Sequence, residues 1–536
     1  MIRLQHVGYR YPEAEAPALR DVTLHVEEGE FVLVTGASGA GKSTLLRALN
    51  GLVPHFSGGE IWGEVRVAGH DPVAEGPRAM SYIVGFVQQD PEAQFVVDTV
   101  EDELAFAMEN HGLSPTEMRK RVEEVLDQLG IAHLRHRRVS TLSGGEKQRV
   151  AIGSVLTLQP RVLVLDEPTS QLDPQAAEEV LTTLRHLNMD LGLTIVVSEH
   201  RLERVVQYAD TMVYLPQAGE PPVVGTPEEV LRQMPFRPPL AELGVALGWH
   251  PLPLSLKEAR HWARGLTPRP PDGSRAGEEP PRPLSLWAED VWYAYNGTPA
   301  LQGMDLEARQ GQVVALMGRN GSGKTTLLKC LVGLLRPARG RLQVAGLDAG
   351  RASLEAIVAH VGYVPQDPGA LLFAETVAEE WAFTRQARGL PPGDLRPLLR
   401  LLGLEDKASR YPRDLSVGER QRVALGAVLA GEPEILLLDE PTRGMDLQQK
   451  ETLAGFLREW ATGERTALIA THDVEWVAHC ADWVVLMGEG QAVVQGPPRQ
   501  VVGASLAFAT QMAKLFGDAR LLTVQDVLAA LPGARP

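Results

Sequence analysis

One long set of motifs occurs twice along this chain, in the same order. GASGAGKST at 36–44 recurs as GRNGSGKTT at 318–326. LSGGEKQRVAIGSVL at 142–156 recurs as LSVGERQRVALGAVL at 415–429, and VLVLDEPTSQLDP at 162–174 as ILLLDEPTRGMDL at 435–447. Order and spacing are kept within each half, so a whole domain has been duplicated rather than a short stacking unit. A chain of 536 residues has room for two cores.

Within each half, short apolar runs alternate with helical patterns. Glu30–Thr35, Arg161–Leu165 and Thr194–Val197 in the first half match Val313–Met317, Ile435–Leu438 and Ala467–Ala470 in the second. Such runs fit strands buried on both faces of a mainly parallel sheet. Stretches such as Pro115–Leu129, with apolar residues at helical spacing, predict the covering helices. The expected fold class is α/β: two tandem P-loop domains, each a mainly parallel sheet plus a helical subdomain, with short helical tails. The expected domains are 1–230, a helical tail and linker at 231–283, a second domain at 284–500, and a helical tail at 501–536. The linker prediction rests on LTPRPPDGSRAGEEPPRP at 266–283, rich in Pro, Gly and charge.

The net charge of −16 counts against a phosphate backbone as the main partner. The two cysteines, Cys330 and Cys480, are isolated, so neither a zinc site nor a disulfide framework is expected. No apolar run is long enough to span a bilayer, and the first residues do not read as a signal peptide. Any membrane role is therefore expected to come through a partner.

The chemistry resides in the repeated motifs. Gly36, Ser38, Gly39, Gly41, Lys42, Ser43 and Thr44 form one phosphate loop; Gly318, Asn320, Gly321, Gly323, Lys324, Thr325 and Thr326 form the other. Glycines let successive backbone N–H groups converge on phosphate oxygens. The lysine reaches the outer phosphates, and the Ser43 or Thr325 hydroxyl suits Mg²⁺. Each loop follows an apolar strand and opens a helical pattern, as the motif requires. Asp166-Glu167 and Asp439-Glu440 close matching apolar strands. The aspartate is placed to hold the Mg²⁺ shell and the glutamate to polarise an attacking water. ATP and Mg²⁺ are therefore the expected ligands.

With LSGGE placed shortly before the Asp-Glu strand, both halves resemble the ATP-binding cassette (ABC) ATPases. That resemblance implies further roles. Tyr11 and Tyr295 would stack on adenine, Gln89 and Gln366 would sense Mg²⁺ and the membrane partner, and His200 and His472 would contact the γ-phosphate beside the catalytic Glu167 and Glu440. Asp173 and Asp446 match the D-loop. The resemblance also implies a pseudo-heterodimer of the two halves, in which Ser143, Gly144 and Gly145 of one signature, and Ser416 and Gly418 of the other, serve the opposite half's nucleotide. The second signature reads LSVGE, with Val417 where the family usually has Gly. This departure predicts unequal sites, the one with Lys42 and Val417 being the weaker.

QDPEAQFVVDTVEDELAFAMENHGL at 89–113 narrows the resemblance to the ATPases of energy-coupling factor (ECF) transporters, which import vitamins and metal ions. Gln94, Thr99, Val100, Glu103, Ala105, Phe106, Glu109 and Asn110 fit that pattern. The second half keeps Thr376, Val377, Glu380, Ala382 and Phe383 but lacks the Glu-Asn pair. SEHRLERVVQYADTMVYL at 198–215 resembles the fused forms linked to thiamine or its pyrimidine precursor. The implied partners are an integral membrane transport subunit and a substrate-binding membrane component, with the chain peripheral on the cytoplasmic face of the cell membrane. A ribosome-associated ABC-F-like ATPase and a dual-cassette sugar-importer ATPase are the alternatives. The Pro-rich linker counts against the first, and the intact second phosphate loop against the other.

Overall fold

A computed structural model describes residues 1–270, 282–505 and 508–531. Most of the predicted Pro/Gly-rich linker, at 271–281, lies outside the described residues. The chain divides into two units, Met1–Ser255 and Leu256–Pro536.

In the first unit, a six-stranded sheet runs Val84–Val87, Val162–Asp166, Thr194–Ser198, Phe31–Gly36, Thr211–Leu215, Val223–Gly225. All neighbours are parallel except the last pair. The inner strands are apolar throughout because both faces are covered. Phe31 and Leu33 join the core that includes the helical subdomain, while Val32 and Val34 face a second core. That second core is closed by a feature the sequence patterns did not reveal, a three-stranded antiparallel sheet of Leu19–Val26, Ile2–Arg10 and Glu60–Val67. Helices Val100–Asn110, Pro115–Gln128 and Gly144–Leu156 make the helical subdomain.

The second unit repeats this plan. Its six-stranded order is Val361–Val364, Ile435–Asp439, Thr466–Ala470, Val313–Met317, Trp483–Gly488, Gln491–Gly496. A four-stranded antiparallel sheet accompanies it. The strands carrying the predicted motifs start and stop within a residue of expectation.

The segment predicted as one helical tail after the first domain is shared between the units. Helix Pro239–Ala246 packs into the first unit through Ala241 and Val245. Helix Leu256–Trp262 belongs to the second unit, where it packs on the C-terminal helix Gln511–Phe516. Arg260 donates to the Lys514 carbonyl at 3.3 Å.

Candidate functional site

In a parallel α/β sheet the carboxyl ends of the strands form the binding edge. The Phe31–Gly36 strand delivers the first phosphate loop there, and helix Lys42–Leu49 starts directly after it. Gly36 must be glycine: its φ is 148°, and a Cβ would lie 2.0 Å from the Leu215 carbonyl oxygen. Gly318 repeats this, 2.4 Å from the Met487 carbonyl oxygen. The Lys42 ammonium folds back on its own loop, donating to the Gly36 and Ala37 carbonyls at 3.1 and 2.9 Å. Lys324 does the same to Gly318 and Arg319 at 2.8 and 3.0 Å. Both lysines are buried, so the loop holds its cation in the curled shape a phosphate would occupy.

Asp166 and Glu167 sit at the end of the adjacent inner strand. The Asp166 carboxyl is raised above the usual range chiefly by burial, then by the Glu167 charge, while hydrogen bonds from Ser198 and Ser43 oppose the rise. In the second unit Asp439 is raised to about 6, again chiefly by burial, opposed by the Thr325 hydroxyl. Ser43 with Asp166, and Thr325 with Asp439, are therefore hydroxyl–carboxylate pairs of hard oxygen donors. They suit Mg²⁺, which takes one or two protein oxygens and keeps the rest of its shell for phosphate and water. Among the described residues no cluster of three or more His, Cys, Asp or Glu could cage a metal, and Asp439 Oδ2 is buried without a partner.

The glutamates that follow are backbone outliers, Glu167 at φ 47° and Glu440 at φ 49°. A non-glycine residue in the left-handed region costs about 1–3 kcal/mol and needs surrounding structure to hold it. Here the neighbouring strand supplies that structure. The Glu167 amide donates to the Ser198 carbonyl at 3.2 Å and to its hydroxyl at 2.9 Å, while the Glu440 amide donates to the Ala470 carbonyl at 2.8 Å. His200 Nε2 lies 2.9 Å from Glu167 Oε1, and Gln89 donates to Glu167 Oε2 at 2.8 Å. His472 Nδ1 lies 2.8 Å from Glu440 Oε1, and the Thr471 hydroxyl is 3.4 Å from Oε2. The structure thus gathers the Asp-Glu pair and the histidine in both units. It also brings Gln89, which the shared QDP favours over Gln88, onto Glu167, whereas the matching Gln366 is exposed.

The predicted adenine platforms stand on the antiparallel sheets. Tyr11 is half-buried, edge-on to Tyr9, and hydrogen-bonds Thr44 at 2.9 Å. Tyr295 is 43% exposed, edge-on to Tyr293.

The signature residues head the helices Gly144–Leu156 and Val417–Ala430. Ser143 and Glu146 form a capping box, as do Ser416 and Glu419. The serine and glutamate of LSGGE therefore fix the helix start, whose free N–H groups and dipole suit an anion. The glycines have a packing reason besides phosphate approach. A Cβ on Gly145 would meet Ala176 Cβ at 2.9 Å, and one on Gly418 would meet the Gly444 carbonyl oxygen at 2.6 Å. Asp173 and Asp446 each cap the helix that follows, accepting from Ala176 and Gln449 at 2.9 and 2.8 Å.

Residues behind the histidines were not singled out by the sequence. Glu199, buried, accepts from the Thr169 amide and hydroxyl at 2.9 and 2.6 Å. In the second unit the equivalent anchor follows the histidine: Asp473 takes the buried Lys450 ammonium at 2.7 Å. The contrast of SEHR with THDV was the available signal. Glu103 and Glu380 also gain a local explanation. Each is buried and clamps the loop before its helix by accepting two backbone amides, Val96 and Val97 for one, Phe373 and Ala374 for the other, at 2.9–3.0 Å.

The ABC transporter family model matches residues 19–170 and 301–443. A Streptomyces coelicolor chain named as a candidate ABC transporter ATP-binding protein is 47% identical over 99% of this chain and 100% of its own. A similarly named Methanosarcina acetivorans chain is 37% identical, covering 100% of this chain and 94% of its own. Among solved structures, a chain from ribosome-bound archaeal Pelota and ABCE1 is 24% identical, with a TM-score of 0.63 over 93% of this chain and 80% of that one. A Clostridium perfringens cbiO1 structure is 32% identical, with a TM-score of 0.38, covering 42% of this chain and 92% of that one. The likeness to the ribosome-bound chain extends to the fold alone. The chain belongs to the ABC transporter family, and it is an ATPase carrying two of that family's cassettes.

Proposed function

We propose that this ATPase drives an importer of the energy-coupling factor class, taking up a vitamin or a metal ion through an integral membrane partner. The observation that carries the reading is a groove in the first unit with a volume of about 380 Å³. Gln94, Glu103, Phe106 and Asn110, all from the ECF-like stretch, line it together with His111 and Ser81. Concave sites of this size with a few polar groups suit a docked helix or loop. Gln89, at the head of the same stretch, touches Glu167 at 2.8 Å. Gln94 in the groove wall accepts from the Gln88 amide at 3.2 Å, so a partner seated there would act on the residue next to Gln89. No helix among the described residues is long and apolar enough to cross a membrane, so on this reading the translocation path is the partner's.

At each phosphate loop, Lys42 or Lys324 turns from its loop carbonyls to the outer phosphates. Glu167 or Glu440 orients the attacking water, held by His200 or His472. Mg²⁺, held by Ser43 and Asp166 or Thr325 and Asp439, would neutralise phosphate charge when bound. Gln89 and Gln366 would report its presence.

The test is co-purification from membranes of the native host. Recovery with an integral membrane protein is expected. Phe106→Arg should abolish it while leaving ATP binding by the free chain intact. Recovery with ribosomes and no membrane partner would overturn the proposal.

A further inference from the structure

The aspartates that follow the two inner strands are held differently, and the difference leaves an unsatisfied pair of atoms in the second unit. In the first unit Asp166 lies opposite Ser198 on the next strand. The Ser198 hydroxyl donates to Asp166 Oδ1 at 2.7 Å and accepts from the Glu167 amide at 2.9 Å. In the second unit the residue opposite Asp439 is Ala470, which has no hydroxyl.

The strand on the other side of Asp439 carries the compensating group. There Tyr363 pairs with Leu437, two residues before Asp439 and on the same face of the strand. The first unit has Phe86 at this position, opposite Val164. The second unit has thus lost a hydroxyl on one flank of its aspartate and gained one on the other. The Tyr363 hydroxyl is buried without a hydrogen-bond partner, and so is Asp439 Oδ2. Burial raises the Tyr363 phenol, and the charges that add to the rise are those of Asp439 and Tyr295. An orphan donor and an orphan acceptor in one site each carry a desolvation cost. Such groups in a folded protein call for a partner that the loaded state supplies.

We infer that Tyr363 is a positioning residue for Asp439, its hydroxyl doing in the second cassette what Ser198 does in the first. It completes the hydrogen bonding of the carboxylate when Mg²⁺ and ATP are bound. Carboxylates that ligate metals are themselves oriented by such outer contacts, whose loss typically lowers metal affinity 10–100-fold. A tyrosine serving only as core packing would have no such effect.

This inference rests on the Mg²⁺–ATP reading of the site. The experiment uses the full chain with Lys42→Ala, so that nucleotide occupancy reports the second cassette. Equilibrium binding of a fluorescent ATP analogue is followed against Mg²⁺ concentration, and melting temperature is recorded without nucleotide. Tyr363→Phe should raise the Mg²⁺ midpoint by about 10–100-fold while leaving the nucleotide-free melting temperature unchanged or slightly higher. Adding Ala470→Ser should bring the midpoint back. An unchanged midpoint in Tyr363→Phe, or a raised one that Ala470→Ser does not lower, overturns the assignment. If Tyr363→Phe does not fold, the mirror pair decides. In a Lys324→Ala chain, Ser198→Ala should raise the midpoint and Phe86→Tyr should lower it again, and failure of that exchange overturns the assignment as well. Binding that ignores Mg²⁺ in the parent chain would instead sink the metal reading of the site.

Discussion

The two cassettes share a plan but tie down matching motif residues with different neighbours. In the first, Glu167 is held by His200 and Gln89, and a buried Glu199 braces the loop through Thr169. In the second, Glu440 is held by His472 with the Thr471 hydroxyl nearby, and the brace is a Lys450–Asp473 ion pair. Their matching surfaces differ too. The first offers a groove with Gln94, Asn110 and His111. At positions equivalent to Val96 and Phe106, the second presents Phe373 and Phe383, edge-on at 4.7 Å and both about half exposed. Duplication thus preserved the motif residues while the residues around them diverged.

Four experiments would break or sharpen this comparison. The largest effect should come from removing both loop lysines. Lys42→Ala with Lys324→Ala is expected to eliminate measurable ATP hydrolysis, and retained turnover would show that the site lies elsewhere. Next, Glu167→Gln and Glu440→Gln should each suppress hydrolysis at their own site by about 10²-fold or more. The losses are expected to be unequal, with Glu440→Gln the costlier, because the LSVGE departure predicts that the site expected to use Lys42 is the weaker. Equal losses in the assembled complex would remove the functional asymmetry.

A smaller effect is expected on stability. Lys450→Met removes the ammonium that faces the buried Asp473 carboxylate at 2.7 Å, and breaking such a pair costs about 3–5 kcal/mol. The first cassette has a buried Ala177 at the matching position and no such ion pair, so the loss is read as a lower denaturant midpoint of Lys450→Met against the parent. If Lys450→Met unfolds at the parent's denaturant concentration, the ion pair is not the brace proposed here. The smallest effect concerns Glu199. Burial raises its carboxyl pKa in the folded protein. The folded state therefore binds the proton more tightly than the unfolded state, and stability falls as pH rises through the raised value. Glu199→Gln cannot ionise and keeps an oxygen for Thr169. It should melt a few degrees higher than the parent near neutral pH, with the gap closing as the pH drops. A gap that widens on acidification would contradict the assigned direction.

Much of this could be read along the chain. Gly36, Lys42 and Ser43, Asp166 with Glu167, and Ser143 with Glu146 are local patterns: a curled loop, a strand end and a helix cap, each set by residues only a few positions apart. The positions of His200 and His472 followed from their place after matching strands. The antiparallel sheets were not legible, because strands such as Ile2–Arg10 and Glu60–Val67 pair across long separations with irregular register. Nor did the helical segments near 240–262 announce that one would pack with each unit.

The sequence alone determined the duplication, the α/β class and the residue types able to bind and hydrolyse ATP, because those depend on periodicity and short spacing. Only the tertiary structure decided that Gln89 meets Glu167, that Glu103 clamps a loop, and that Ser198 and Tyr363 flank corresponding aspartates from opposite sides. Those relations depend on which strands become neighbours. Strand order is fixed by burial of both sheet faces across the whole unit, and no local window of sequence contains it.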